Sequence, residues 1–373
     1  RMTWQATPKN KFNFLFDHQQ ACNCGGTSSA TLNEPASGYR FEPNNFMQLT
    51  YNSPITSRLL LEVGVGASIS QWNNFRNIGV SPNTISINDT GLGKTYGAPV
   101  SFRAHPNYTN RYTQRAAMTY VTGSHTMKAG FIFEHMITDN FINANGNLSY
   151  QFQNGTPRFI IQRTTPYREI DETDELGIFA QDQWRINRLT LNYGLRWDHV
   201  NGYTPVQNMP GSPDPEFTDR FPNALTSNPW VGSRTFAAVD GIPRWSDFNP
   251  RFGASYDLFG NNRTALKFSL GRYVAKTNVD VATLLNPNTT AVNTARRAWN
   301  DTTFPVGDPR RGNFYPDCDL GNLLANGECN QSEDLNFGKL NPRAIRWADD
   351  VRTGNRRSEE HTSELQSHSF ISY

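Results

Sequence analysis

The stretch LTLNYGLRWDHV (residues 189–200), with ELGIFAQDQWRINR (175–188) before it, decides how the rest of the chain is read. In the first, Leu189, Leu191, Tyr193, Leu195 and Trp197 alternate with Thr190, Asn192, Gly194, Arg196 and Asp198. A period of two is that of a β-strand with one apolar and one polar face. The polar face carries Arg196 and Asp198 well inside the strand, and only a tiny turn at 185–188 separates it from the strand before. The unknown is which face meets water and what the apolar face touches.

Nine further segments share this period, for ten strands in all. Met2, Trp4 and Ala6 fall on one face, as do Phe12, Phe14 and Phe16, and then Met47, Leu49 and Tyr51. Leu59, Leu61, Val63, Val65, Ala67 and Ile69 stand opposite Glu62, Gly64, Gly66, Ser68 and Ser70. YTQRAAMTYV follows, then Met127, Ala129, Phe131 and Phe133 against Lys128, Gly130 and Glu134. After the opening pair come Phe252, Ala254, Tyr256 and Leu258, and last Leu266, Phe268 and Leu270. Short links at 8–10, 53–57, 122–125, 185–188 and 259–263 alternate strictly with long ones at 21–45, 73–110, 141–171 and 201–248. The short links are mostly rich in turn-forming residues.

Such a meander, with all short turns at one end and all long loops at the other, has the pattern of an outer-membrane β-barrel. The expected fold is therefore all-β: an antiparallel up-and-down transmembrane barrel, partial, with about ten strands and long extracellular loops. Strands of about 9–11 residues suffice to cross a bilayer. The apolar face would meet lipid and Arg196, Asp198, Glu62, Lys128 and Glu134 a wet lumen, because only a closed barrel satisfies every strand hydrogen bond in lipid. Trp4, Tyr120, Trp184, Trp197, Tyr256 and Tyr273 suit interfacial girdles. Each strand should pair only with its sequence neighbours. The first and last would then be open edges, since ten strands of a wider barrel cannot close.

Composition agrees. Of 373 residues, hydrophobic types make up 36% and aromatic ones 12%, with mean hydropathy −0.63, which suits a β-chain better than a helical one. No run approaches the ~18–20 apolar residues of a membrane helix. A net charge of +2 without a Lys/Arg cluster argues against a nucleic-acid partner.

The remaining signals are local. Asn154-Gly155 within LSYQFQNGTPRFIIQ marks a hairpin turn inside one long loop. The cysteines, Cys22 and Cys24 then Cys318 and Cys329, lack zinc-type spacing. A Cys318–Cys329 disulfide in an extracellular loop fits better, with Cys22–Cys24 a weaker pairing and reduced thiols the alternative. Asp308, Asn313, Asp317 and Asp319 offer oxygen ligands for calcium, without the spacing of a known calcium loop. The run Glu169, Asp171, Glu172, Asp174 and Glu175 reads as a solvated acidic face rather than catalytic carboxylates. HExxH, GxSxG and P-loop motifs are missing, so neither enzyme activity nor a cofactor is expected, and no metal site is assigned.

GIFAQDQWRINRLTLNYGLRWDHV and NPRFGASYDLFGNNRTALKFSLGRY resemble barrel hairpins of TonB-dependent outer-membrane transporters, most closely the Oar-like group. The matching residues are Phe179-Ala180-Gln181-Asp182 with Trp184, Gly194-Leu195-Arg196, Asn249-Pro250-Arg251 and Tyr256-Asp257; ACNCGG and the loop around Cys318 and Cys329 also look like segments of that group. The resemblance implies a barrel of about 22 strands around a plug. It implies the bacterial outer membrane as location, and energised uptake of a bulky ligand (an oligosaccharide, peptide or metal chelate). The partners implied are the lipid bilayer and the TonB complex. Plug, TonB box, N-terminal regulatory-like domain and terminal strand are not seen, so coupling would reside in regions missing here. The barrel domain is expected over residues 1–356. Residues 357–373, with RSEEHTSELQS, resemble a translated sequencing adapter and are expected to be an artefactual tail on a fragment. A non-energised porin or adhesin barrel, or a secreted carbohydrate-binding β-protein, remains the alternative.

Overall fold

The computed structural model describes residues 1–24, 37–76, 80–81, 83–103, 107–208, 228–261, 263–344, 346 and 352. Ten strands form one antiparallel meander: β1 (Met2–Thr7), β2 (Asn10–Asn23), β3 (Ser37–Pro54), β4 (Leu59–Arg76), β5 (Asn107–Thr122), β6 (His125–Asn143), β7 (Tyr167–Ile186), β8 (Leu189–Thr204), β9 (Val239–Asp257) and β10 (Ala265–Gly271). Each pairs only with its sequence neighbours within the meander, and β1 and β10 are its two outer strands. All five short turns fall at one end, as the sequence implied. The expected residues 357–373 lie outside the described residues.

The faces also follow the alternation. Leu195 pairs with Ala180 and Pro250, and Ala180 with Ala129, so apolar residues line up across four strands of the outer face. Leu195, Ile178 and Phe131 on that face are 49%, 47% and 40% exposed, turned outward as lipid-facing side chains are. Aromatic rings gather there in two rows. Trp4–Phe12, Phe12–Tyr51 and His125–Trp184 lie near the short turns, at centroid distances of 5.5, 4.9 and 5.2 Å. Tyr112–His135 and Trp197–His199 lie farther up, at 6.1 and 5.7 Å. His125 and His135 are ten residues apart on β6. At ~3.4 Å per residue and a tilt of ~40°, that is ~26 Å along the membrane normal, close to the ~25 Å apolar band of such barrels.

The inner strands β2–β9 run to 14–20 residues, longer than a crossing requires. The excess stands at the long-loop end, where residues such as Arg168, Glu169, Asn201 and Gly202 continue the backbone ladder without apolar alternation. Ladder hydrogen bonds need no particular side chain, so these polar extensions looked like loop in the sequence. The acidic run belongs to one of them. Strand parity splits it, turning Asp171 and Glu175 to the polar face and Glu172 and Asp174 to the other, so it is not a single solvated face.

Two inner-face glycines have a packing reason. A Cβ on Gly64 would lie 2.8 Å from Arg115 Nε, and one on Gly177 would collide with the Arg196 guanidinium. In both places an arginine lies flat against the wall where the neighbouring strand has no side chain. Gly64 in GVGAS therefore serves packing.

Candidate functional site: the polar wall and the loop-end cap

The polar face is a charged wall. Lys128 on β6 reaches across β5 to Glu62 on β4, with Nζ and Oε2 2.6 Å apart. Arg196 Nε donates to Asp198 Oδ1 at 2.7 Å, and Asn249 Nδ2 to Asp198 Oδ2 at 2.7 Å. Arg272, just past β10, donates to Asp247 at 2.8 Å. The chain after β10 returns over this face. Lys276 pairs with Glu134, and Thr283 and Asn286, at the C-terminal end of α1 (Asp280–Leu285) and just past it, donate to the buried Asp171 at 3.0 and 2.9 Å. Asn288 in α2 (Pro287–Thr290) donates to the Arg168 carbonyl at 2.6 Å. Amides and hydroxyls suit this role because they can both follow the strand ladder and satisfy a buried carboxylate.

Beyond the wall, several long loops build a cap with its own core. Five short strands form a second sheet in the order Thr294–Ala298, Thr156–Arg163, Leu148–Gln153, Ser86–Asp89, Lys94–Tyr96. Its middle is the hairpin expected at Asn154-Gly155, with φ of 51° and 77° at the two turn residues. Leu148, Tyr150, Phe152, Ile160, Trp299 and Cys329 form the buried core, flanked by Ile85, Ile87, Trp230, Cys318 and Leu320. Desolvation in that core pushes the Tyr150 phenol up to about 12.

Buried polar groups stitch the loops together. Asp89 accepts from the backbone N–H groups of Gly91, Leu92, Asn154 and Gly155, at 2.9, 3.0, 2.9 and 2.6 Å. Burial alone would raise its carboxyl, but these four donors outweigh that and hold it below the usual carboxylate range. Arg297 is fully buried, and its guanidinium donates to the carbonyls of Asn330, Asn322 and Leu324, each at 2.9 Å. Those carbonyls belong to the loop that holds Cys318 and Cys329, whose sulfurs meet with Cα atoms 5.9 Å apart. Cys22 and Cys24 also meet, 5.3 Å apart at Cα. Arg234 is pushed down to about 10 by burial, with Nη1 donating to the Gly338 carbonyl at 2.6 Å.

The oxygen-rich loop does not assemble as a cation site. Asp308 is held by Arg310 at 2.9 and 2.7 Å, Asn313 donates to Asp317 at 2.7 Å, and Asp319 accepts from Gly321 N–H at 2.8 Å. Among the described residues no three His, Cys, Asp or Glu side chains converge as metal ligands. A groove of about 620 Å³ does open on the cap, between the hairpin and the 298–314 segment. Trp299, Asp301 and Phe314 border it, and the sequence reading had assigned none of them a role. The tryptophan was the available signal, but nothing local ties it to a hairpin some 150 residues away.

Residues 1–327 match the family model described as "Outer membrane beta barrel domain". The chain belongs to that family. The barrel domain thus resides in the bacterial outer membrane, with its apolar face toward lipid. No curated protein sequence matches it. Among solved structures it is similar to the outer membrane transporter YddB from Escherichia coli, at 12% identity and TM-score 0.48, covering 80% of this chain and 36% of that one. It is also similar to the ferric-catecholate import receptor Fiu of E. coli K12 in its open form (12% identity, TM-score 0.42, 78% and 46% coverage). A third is the siderophore receptor PiuA from Acinetobacter baumannii (10%, 0.42, 79% and 45%). The barrel domain therefore spans less than half the length of these solved relatives.

Proposed function

We propose that the barrel domain is part of a TonB-dependent, Oar-like receptor that takes up a bulky ligand across the outer membrane. The observation that carries this reading is the cap. Long loops packed over their own core at one end of a polar-faced wall suit a ligand-capturing receptor, whereas a general pore needs an open mouth. The outer strands β1 and β10 agree with it, because unpaired strand edges are not tolerated in lipid and further strands of a wide barrel would cover them. Energy would come through TonB, acting on a plug elsewhere in the parent protein. The ligand would be an oligosaccharide, a peptide or a metal chelate. Residues 357–373 take no part in this function.

The test uses the full-length parent protein. In liposomes it should give no solute-driven swelling, and uptake in cells should collapse when the proton gradient is dissipated. Free swelling with small sugars, or uptake indifferent to the gradient, would replace this reading with a porin.

A further inference from the structure

The inner wall treats its cations in two ways. Lys128, Arg196, Arg272 and Lys276 are each neutralised in place, by Glu62, Asp198, Asp247 and Glu134. Arg251 lies over the Tyr273 ring, its guanidinium carbon 4.7 Å from the centroid. Arg111 and Arg115 on β5 are exposed, and among the described residues neither side chain makes an ion pair or a hydrogen bond. The contrast with Arg196 is direct. Arg115 and Arg196 both lie over a glycine, Gly64 and Gly177, but only Arg196 has a carboxylate beside it. Glu134 faces this part of β5 from β6, opposite Thr113, and is committed to Lys276.

The two arginines border one recess of about 150 Å³, room for about five waters. Gly66 is its floor, flanked by Gln48 on β3 and Thr113 on β5, with Ser68 next along β4. The side chains of Gln48, Ser68 and Thr113 also make no hydrogen bond among the described residues. None of these five polar side chains is buried, so the recess is open to a molecule in the bore. By register, Arg115 stands level with Ile132 and Arg111 with Met136 on β6, above His125 in the lower aromatic row. At ~3.4 Å per residue and a tilt of ~40°, they lie ~18 and ~29 Å above that row, in the loop-end half of the bore.

We propose that this recess is an anion subsite on the ligand's path, holding a carboxylate or phosphate group of the incoming ligand between Arg111 and Arg115. A guanidinium offers five N–H donors in a fixed fork and no acceptor, which matches a carboxylate or phosphate edge. The hydroxyls of Ser68 and Thr113 and the amide of Gln48 supply neutral donors for the remaining oxygens. A cation is repelled here, and a neutral sugar leaves both charges unmet. Pores for anions are lined by Arg and Lys in the same way. The loop-end position is where a ligand arrives, which favours a ligand group over an acidic side chain from elsewhere in the parent chain. The inference rests on the receptor reading and deepens it: the ligand carries negative charge.

The experiment is calorimetric titration of the full-length receptor in detergent with sodium pyrophosphate, with citrate, and with maltose as the uncharged control. Pyrophosphate or citrate should bind at one site and more weakly in high salt, while maltose should not bind. The anion that binds tells phosphate from carboxylate. Arg111→Gln and Arg115→Gln should each weaken it about 10-fold or more, the loss of one charge-assisted hydrogen bond, and keep the wild-type melting temperature. Gly64→Ala, whose Cβ would lie 2.8 Å from Arg115 Nε, should weaken it by displacing the guanidinium without removing charge. Lys267→Gln removes an exposed inner-wall charge on β10 and should leave the affinity unchanged. Equal losses in all four variants would reduce the effect to net charge and overturn the site. A lower melting temperature in the arginine variants, with anion binding unchanged, would overturn it in favour of an acidic partner within the parent chain. No binding by either anion, with gradient-dependent uptake of another ligand intact, would overturn the inference and leave the receptor reading standing.

Discussion

Placing an arginine at Leu195 tests the membrane assignment by depth as well as by face. Leu195 pairs with Ala180, which pairs with Ala129, four residues along β6 from His125 in the lower aromatic row. Leu191 pairs with Trp184, which pairs with His125 itself, so it sits level with that row. The four residues between Leu191 and Leu195 are ~14 Å of strand, or ~10 Å of depth at a tilt of ~40°. That sets Leu195 within a few ångström of the middle of a ~25 Å band. Leu195→Arg should therefore destabilise the full-length barrel by about 2–4 kcal/mol, and Leu191→Arg by about 0–1 kcal/mol. Asn192→Arg, on the polar face between Gln183 and Gly253, should be nearly neutral. The assay is reversible urea unfolding in lipid vesicles, followed by tryptophan fluorescence and by the heat-modifiable gel shift. Equal costs at Leu195 and Asn192 would refute the lipid-facing assignment. Equal costs at Leu195 and Leu191 would refute the position of the band.

Three further outcomes follow from the cap. Non-reduced protein should show no free thiol at Cys318 or Cys329, and replacing both by serine should cost the cap roughly 2–3 kcal/mol for a closed loop with a sequence separation of 11; two labelled thiols would exclude the bond. The Asp89 carboxyl is depressed, so its contribution is present above the unfolded value near 3.8 and is lost as pH falls through the folded one. Hydrogen exchange at Asn154 and Gly155 should accelerate in acid, Asp89→Asn should reproduce this at neutral pH, and unchanged exchange would count against the clamp. Gly155→Ala, at φ 77° with nothing within 4 Å of the new Cβ, should lower cap stability by about 1–2 kcal/mol through backbone conformation alone, read as a shift in its melting.

The wall was legible in the sequence because lipid on one side and water on the other impose a period of two on every strand, as from Leu189 to Trp197. The turns were legible because Pro, Gly and Asn have local backbone preferences. The cap was not. Tyr150, Phe152 and Ile160 also alternate, but their partner Trp299 and the disulfide loop lie over a hundred residues away, and no local pattern records that contact. Nor was the splitting of the acidic run. Whether Asp171 is solvated depends on Thr283 and Asn286, which the chain brings back only after β10.

The two arginines lying flat on glycine have a consequence for the bore. Arg115 over Gly64 and Arg196 over Gly177 keep positive charge on the inner surface while adding little thickness to it. Any side chain at either glycine would lift a guanidinium off the wall and into the passage, narrowing the clearance there by several ångström, roughly the reach of an arginine stem. The glycines thus act as gauges of calibre: they let the barrel be lined with charge and still remain wide.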